Sequence, residues 1–196
     1  MHNFPPLILA SSSPRRQELL RMANYDFTVE TPLCAEDSDA VSPAETVLSL
    51  AERKAKCVAA QHTSSRCWVL GADTLVALGD EILGKPETPE VAASMLARLQ
   101  GKSHSVYTGI CLVDSASGDP FSHCEHTLVH VSSMTSEEIA RYVASGDPLD
   151  KAGAYGIQGA FASYISRIEG DYYNVVGLPL HGLRVLWNEA IRCWME

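Results

Sequence analysis

Three short stretches of the 196-residue chain carry side chains suited to phosphate chemistry. The first is Ser11-Ser12-Ser13-Pro14-Arg15-Arg16. Ser13 and Pro14 read as the cap and first residue of a helix, which places both arginines in its first turn. That end of a helix carries partial positive charge, so each cation there costs about 0.3–1 kcal/mol. An anion held by the guanidinium groups, the serine hydroxyls and the free N–H groups reverses the sign. The pattern suits a phosphate cradle; the alternative is that both arginines point into water.

The second stretch is Gly71-Ala72-Asp73-Thr74, set inside the apolar run 68–78. A carboxylate there is costly if buried without a partner. It suits a base that activates water for attack on phosphorus, or a Mg²⁺ ligand, with a turn-capping aspartate as the alternative. The third stretch, from Gly79 to Gly84-Lys85-Pro86, approaches the P-loop pattern G-x-x-x-x-G-K-[ST]. Pro86 has no hydroxyl for Mg²⁺, and the stretch links two apolar segments instead of opening a helix, so that reading is rejected. Lys85 survives it, either as a phosphate partner on a returning strand or as a solvated lysine at a turn.

Weaker signals surround these. Gly153, Gly156 and Gly159 recur at every third position and permit close backbone approach or an unusual turn. Between them Gln158 can offer both an amide donor and an acceptor to a base edge. His123-Cys124-Glu125-His126 resembles a metal cluster, but on a strand alternate side chains diverge, and His126 with His130 makes only two ligands. There is no G-x-S-x-G and no H-E-x-x-H to support a serine hydrolase or a zincin.

The elements that must position these groups are legible along the chain. Leu7 to Ala10 reads as a buried strand running into the first helix, which continues through Leu19, Leu20 and Met22 and stops near Asn24. Asp26 to Glu30 reads as a second strand. Ser42 caps a helix reaching about Gln61. Trp68 to Leu78 is a strand that carries Asp73 and turns at Gly79-Asp80 into Glu81-Ile82-Leu83. Thr88-Pro89-Glu90 opens a helix ending near Gly101. Strands over 106–113 and 121–131 form an antiparallel pair, followed by a helix over 133–144 with Thr135-x-x-Glu138 as a capping box. Strands are expected over 160–168 and 172–176 around Gly170-Asp171, and a last helix from Pro179. This is a mixed α/β chain, with no repeat or linker.

Composition bounds the partners. The net charge of −9 repels nucleic acid, and no Lys/Arg block compensates locally. A polyanionic ligand then needs a few cations gathered in one cleft. Hydrophobic residues at 46% suffice for one domain, or for two small lobes sharing a core. Cys34, Cys57, Cys67, Cys111, Cys124 and Cys193 never fall as C-x-x-C and no signal peptide is evident, so reduced thiols in a cytoplasmic protein are expected. The longest apolar run, Phe4 to Ala10, is too short to span a bilayer, so no membrane is expected.

Taken in order, Leu9 to Leu20, Gly71-Ala-Asp-Thr74, Gly84-Lys-Pro86, Asp147 to Gly159 and Val176-Gly-Leu-Pro-Leu180 resemble the Maf family of nucleoside triphosphate pyrophosphatases. The resemblance covers nearly the whole chain. It implies an elongated α/β fold related to the inosine triphosphate pyrophosphatase type, a single domain over 1–196 with a mixed sheet, flanking helices and two lobes around a deep central cleft. It also implies a divalent cation, Mg²⁺ or Mn²⁺, and a homodimer. By residue, Asp73 matches the family's catalytic acid, Ser11, Arg16, Lys54 and Lys85 match substrate-binding positions, and Glu36 matches a metal position. Arg15, Thr74 and Gln158 resemble the dTTP/UTP-hydrolysing subgroup, and a neutral amide does suit the imide edge of uracil or thymine. The chain departs from that subgroup's pattern at Phe161-Ala162. The activity implied is hydrolysis of dTTP and UTP to monophosphate and pyrophosphate. The rival is a non-catalytic nucleotide-binding regulator of cell division and septum formation.

Overall fold

Where the sequence is most continuously apolar, the chain forms parallel strands buried on both faces. The computed structural model describes residues 6–35, 40 and 42–195. In chain order the elements are β1 (Leu7–Ala10), α1 (Pro14–Met22), β2 (Phe27–Glu30), α2 (Pro43–Ala59), β3 (Trp68–Leu78), β4 (Glu81–Leu83) and α3 (Pro89–Leu99). They continue with β5 (Ser103–Asp114), β6 (Pro120–Val131), α4 (Ser136–Ala144), three 3₁₀ turns between 147 and 164, β7 (Ile165–Glu169), α5 (Tyr172–Val176) and α6 (Leu180–Met195). Seven strands form one mixed sheet in the order β2-β1-β3-β5-β6-β7, with β4 paired to β3 off that path. The expected α/β architecture of a mixed sheet with flanking helices is therefore observed. No helix among the described residues is long and apolar enough to cross a membrane.

The chain divides into two units, the first made of Met1–Asp73, Thr108–Glu125 and Gly177–Glu196. Here β1 runs parallel to both β2 and β3, with Ala10 opposite Glu30 on one side and Gly71 on the other. Alternation sorts the side chains. Ile8, Ala10 and Val69 are buried in one cluster with Ala51, Ala55 and Val58 of α2 and Cys111 and Val113 of β5. Trp68 turns to the opposite face, against Phe121 at 5.9 Å and Trp187 of α6 at 6.4 Å between ring centroids. The α2 backbone lies directly on β3. A Cβ at Gly71 would stand 2.0 Å from the Ala51 carbonyl oxygen and 2.8 Å from the Ala55 nitrogen, so only glycine fits. The start of α2 is fixed by a complete capping box between Ser42 and Glu45.

The second unit comprises Thr74–Tyr107 and His126–Val176. β3 and β4 form the expected hairpin, with Val76 opposite Leu83 and Leu78 opposite Glu81. The helix expected over 133–144 begins at Ser136, because Thr135 and Glu138 complete the capping box and Thr135 is thereby the cap. Two expected strands are corrected. Residues 160–164 form a 3₁₀ turn, since Phe161 is fully buried against Tyr142, Tyr155 and Tyr164, and only from Ile165 does the chain pair with β6. Residues 172–176 form a short helix instead of a strand. The Tyr173 N–H donates to Asp171 Oδ1 at 2.7 Å, while the buried Asn174 amide donates to the Val106 carbonyl at 3.0 Å and to Thr127 Oγ1 at 2.8 Å. These local and tertiary bonds override the strand preference of Tyr-Tyr-Asn-Val-Val.

Candidate active site

The start of α1 is built differently from those of α2, α3 and α4, each of which has a side-chain cap and an acid in its first turn. Its cap residue Ser13 makes no side-chain capping bond, and the first turn holds no acidic residue. Arg16 is partly buried and turned inward: Nε donates to the Gly177 carbonyl at 2.8 Å and Nη1 to Ser11 Oγ at 3.2 Å. Ser11 is buried, and its Oγ also accepts the Ser13 N–H at 3.3 Å. Arg16 therefore does not simply point into water. Arg15, the neighbouring residue on α1, is partly buried.

Asp73 sits two residues beyond Gly71 on β3, hence on the same face, toward α2. There Lys54 reaches down from α2, and its Nζ donates to Asp73 Oδ1 at 2.7 Å. The two side chains are only 9% and 16% exposed, so this is an interior ion pair, with one carboxylate oxygen engaged by the ammonium. An acid in an apolar strand is thus tolerated because the helix packed over it supplies its counter-charge. The ammonium also fixes the carboxylate's orientation. The register matters as well. Ala10 lies opposite Gly71, so Ser11 leaves the sheet one residue before the level of Asp73, on a strand about 4.8 Å away. Both groups therefore stand at the carboxyl end of the parallel strands, where ligands of open α/β sheets bind.

The second unit holds Thr74, Lys85 and Gln158. Thr74 is on the face of β3 opposite Asp73 and shares it with Val76, against which Gly153 packs: a Cβ on Gly153 would come within 2.9 Å of Val76 Cγ1, and its φ is 70°. The Gly153 N–H donates to the Gly84 carbonyl at 3.1 Å, joining the segment before Lys85 to the segment before Gln158. Lys85 and Gln158 are exposed and make no hydrogen bond or ion pair among the described residues. Gly84-Lys85-Pro86 follows a hairpin strand and is separated from α3 by Glu87 and Thr88, in keeping with rejection of the P-loop reading.

Glu36 lies outside the described residues; the nearby carbonyl of Ala35 accepts Arg53 Nη1 at 3.2 Å. Among the described residues no group of three or more His, Cys, Asp or Glu could hold a metal ion. The histidines of β6 have other partners: His123 faces Glu125 at 3.3 Å, His126 bonds Ser105 at 2.9 Å and stacks on Tyr107, and His130 pairs with Glu169 at 2.7 Å. Glu30, opposite Ala10, is taken by His62 at 2.9 Å.

From residue 6 to residue 190 the sequence matches the family described as Maf-like protein. The chain belongs to the Maf family. Its similar Maf relatives include proteins named dTTP/UTP pyrophosphatase. One, from Symbiobacterium thermophilum, is 52% identical over 176 residues, 89% of either chain. Another, from Salinibacter ruber, is 51% identical over 91% of this chain and 87% of its own. A third, from Geobacillus sp. (strain WCH70), is 50% identical over 89% of this chain and 92% of its own. The crystal structure of a nucleoside-triphosphatase / dITP/XTP pyrophosphatase from Mycobacterium abscessus overlaps 66% of this chain and 75% of that one, at 12% identity and a TM-score of 0.43. Gly177, within the stretch Val176-Gly-Leu-Pro-Leu180, holds Arg16 through its carbonyl, a role that its residue type does not signal in the sequence.

Proposed function

We propose that this chain is a nucleoside triphosphate pyrophosphatase that hydrolyses dTTP and UTP to the nucleoside monophosphate and pyrophosphate. Relatives named for that activity, at about half identity over nearly the whole chain, support the substrate class. The observation that carries the chemistry is the interior Lys54–Asp73 pair at the carboxyl end of the parallel strands, one residue from the level at which Ser11 leads into α1.

In this reading the triphosphate is bound by Ser11, Arg16 and Lys54, with Lys85 adding a further cation. Lys54 holds Asp73 in one orientation through Oδ1, which leaves Oδ2 to receive the proton of a water molecule. The water oxygen attacks the α-phosphorus, the bond to the bridging oxygen between the α and β phosphates breaks, and pyrophosphate leaves with the bond's electron pair. Charge stabilisation by the cations outweighs proton removal, since general-base assistance supplies only about 10²–10⁴-fold. Arg15, Thr74 and Gln158 set the preference for uracil and thymine.

A divalent cation fits this donor set in one way. At that end of the described strands Asp73 has one oxygen engaged by Lys54, and Glu30 is bound by His62. Mg²⁺ keeps several waters and takes one or two protein carboxylates together with substrate phosphates. The set thus suits Mg²⁺ or Mn²⁺ carried in by the triphosphate and held in addition by Glu36, where it would neutralise phosphate charge. The family resemblance extends the proposal to a homodimer, and the scattered cysteines, read as reduced thiols, extend it to the cytoplasm.

Asp73→Asn keeps the side chain's shape and its acceptor for Lys54 but removes the base. Its kcat for dTTP and UTP is expected to fall by about 10²–10⁴-fold with an unfolding midpoint near that of the wild type. Turnover at the wild-type rate by the purified variant would end the assignment.

A further inference from the structure

We propose that Tyr142, Asp147 and Lys151 form a positioning brace that sets the turn carrying Gln158 and thereby sharpens the choice of nucleobase; this rests on the role given to Gln158 above. The brace is saturated with hydrogen bonds. Tyr142, on α4, donates from Oη to Asp147 Oδ2 at 2.5 Å, and Tyr142 Oη accepts the Gly156 N–H at 3.1 Å. Lys151 Nζ donates to Asp147 Oδ1 at 3.0 Å, to the Asp147 carbonyl at 2.6 Å and to Asp150 Oδ1 at 2.6 Å. Both carboxylate oxygens of Asp147 are thus engaged. Burial pushes the Asp147 carboxyl up, but Tyr142 and Lys151 together outweigh it and hold it below the usual range.

The link to Gln158 runs through the backbone. The Gly159 N–H donates to the Gly156 carbonyl at 3.3 Å, closing a four-residue turn over Ile157 and Gln158. Ile157 is buried and Gln158 is exposed, so the turn has an inner and an outer side chain. Its first residue, Gly156, is anchored to the tyrosine hydroxyl. Phe161, where the chain departs from its subgroup, is fully buried with its ring 5.1 Å from that of Tyr142 and 4.8 Å from that of Tyr155, and so supports the same tyrosine. Gln158 makes no bond of its own to the described protein, so its position depends on this turn. A misplacement of about 1 Å can cost on the order of 10²-fold in rate, so a base-reading amide must be held in place.

Tyr142→Phe removes the one hydroxyl and nothing else. The expected result is a rise in KM for UTP and dTTP of roughly tenfold with kcat nearly unchanged, and a fall of similar size in the UTP-over-CTP preference in kcat/KM. Asp147→Asn, which keeps an acceptor for the tyrosine but weakens the hold on Lys151, should narrow the preference in the same direction. An equal loss for UTP and CTP in both variants, or an unchanged preference, would overturn the brace. Gln158→Ala separates the two ideas. If it leaves the preference intact, the base-reading role of Gln158 fails. If it abolishes the preference while Tyr142→Phe and Asp147→Asn do not alter it, only the brace fails. With both ideas correct, the double variant Tyr142→Phe/Gln158→Ala shows no further loss of preference beyond Gln158→Ala alone.

Discussion

Two helices of the first unit open with the same dipeptide, Ser13-Pro14 for α1 and Ser42-Pro43 for α2, yet their ends are chemically unlike. At α2 the serine hydroxyl accepts the Glu45 N–H at 3.3 Å, and the glutamate reaches back to the Ser42 N–H at 3.2 Å. The end is closed by its own sequence. At α1 there is no side-chain cap and no acid, and the turn carries two arginines. Identical helix-start signals thus lead to two different ends, and what separates them is the third residue of the helix. A glutamate there completes the capping box, whereas the arginine leaves the helix end with neither cap nor acid, the end to which the proposed function assigns the triphosphate.

The strongest test of this contrast is Arg16→Ala. It should lower kcat/KM for dTTP and UTP by roughly 10²–10³-fold, as loss of one preorganised donor to phosphate does. Unaltered kcat/KM would make the guanidinium a mere tie between α1 and the Gly177 carbonyl. Next in size is a test of whether a polar atom lacking a partner marks function in itself. His104, in the second unit, is buried with Nε2 2.7 Å from Tyr155 Oη, while its Nδ1 has no partner. Burial pulls its pKa down from 6.5 to about 4. The unfolded chain therefore takes up a proton that the folded one refuses between those values. The resulting stability is complete above about pH 6.5 and is lost as pH falls toward 4, to the extent of about 3 kcal/mol. His104→Gln should flatten that part of the curve in urea titrations at pH 7 and 4.5 without changing turnover at pH 7. A large loss of activity would bring His104 into the site and blur the distinction. The smallest effects belong to the caps themselves. Ser42→Ala is expected to cost about 1 kcal/mol of stability and Ser13→Ala no more than about 0.3 kcal/mol. Equal losses in thermal unfolding would show that the two ends are not different after all.

Much of the framework was legible because local chemistry decides it. Ser42 with Glu45, Thr135 with Glu138, and the apolar run from Trp68 to Leu78 each specify their element without help from the rest of the chain. Legibility ended where distant residues decide. Tyr172 to Val176 has strand-like composition, but Thr127 and Val106, far away in sequence, make it a helix through Asn174. The site divides in the same way. Asp73 stood out as an acid among apolar residues, and Arg16 as a cation at the wrong end of a helix. The partner of each lies on another element: Lys54, 19 residues away, and Gly177, 161 residues away. A cost can be read from one segment; what offsets it is read only from the fold.

The bond from the Gly153 N–H to the Gly84 carbonyl ties the segment before Lys85 to the segment before Gln158. On the proposed roles of Lys85 and Gln158, a nucleotide held by the lysine would also act on the segment before the glutamine. The amide proton of Gly153 is thus a natural spectroscopic reporter: its solvent-exchange rate and chemical shift should respond to ligands at either segment, with no label attached to the nucleotide.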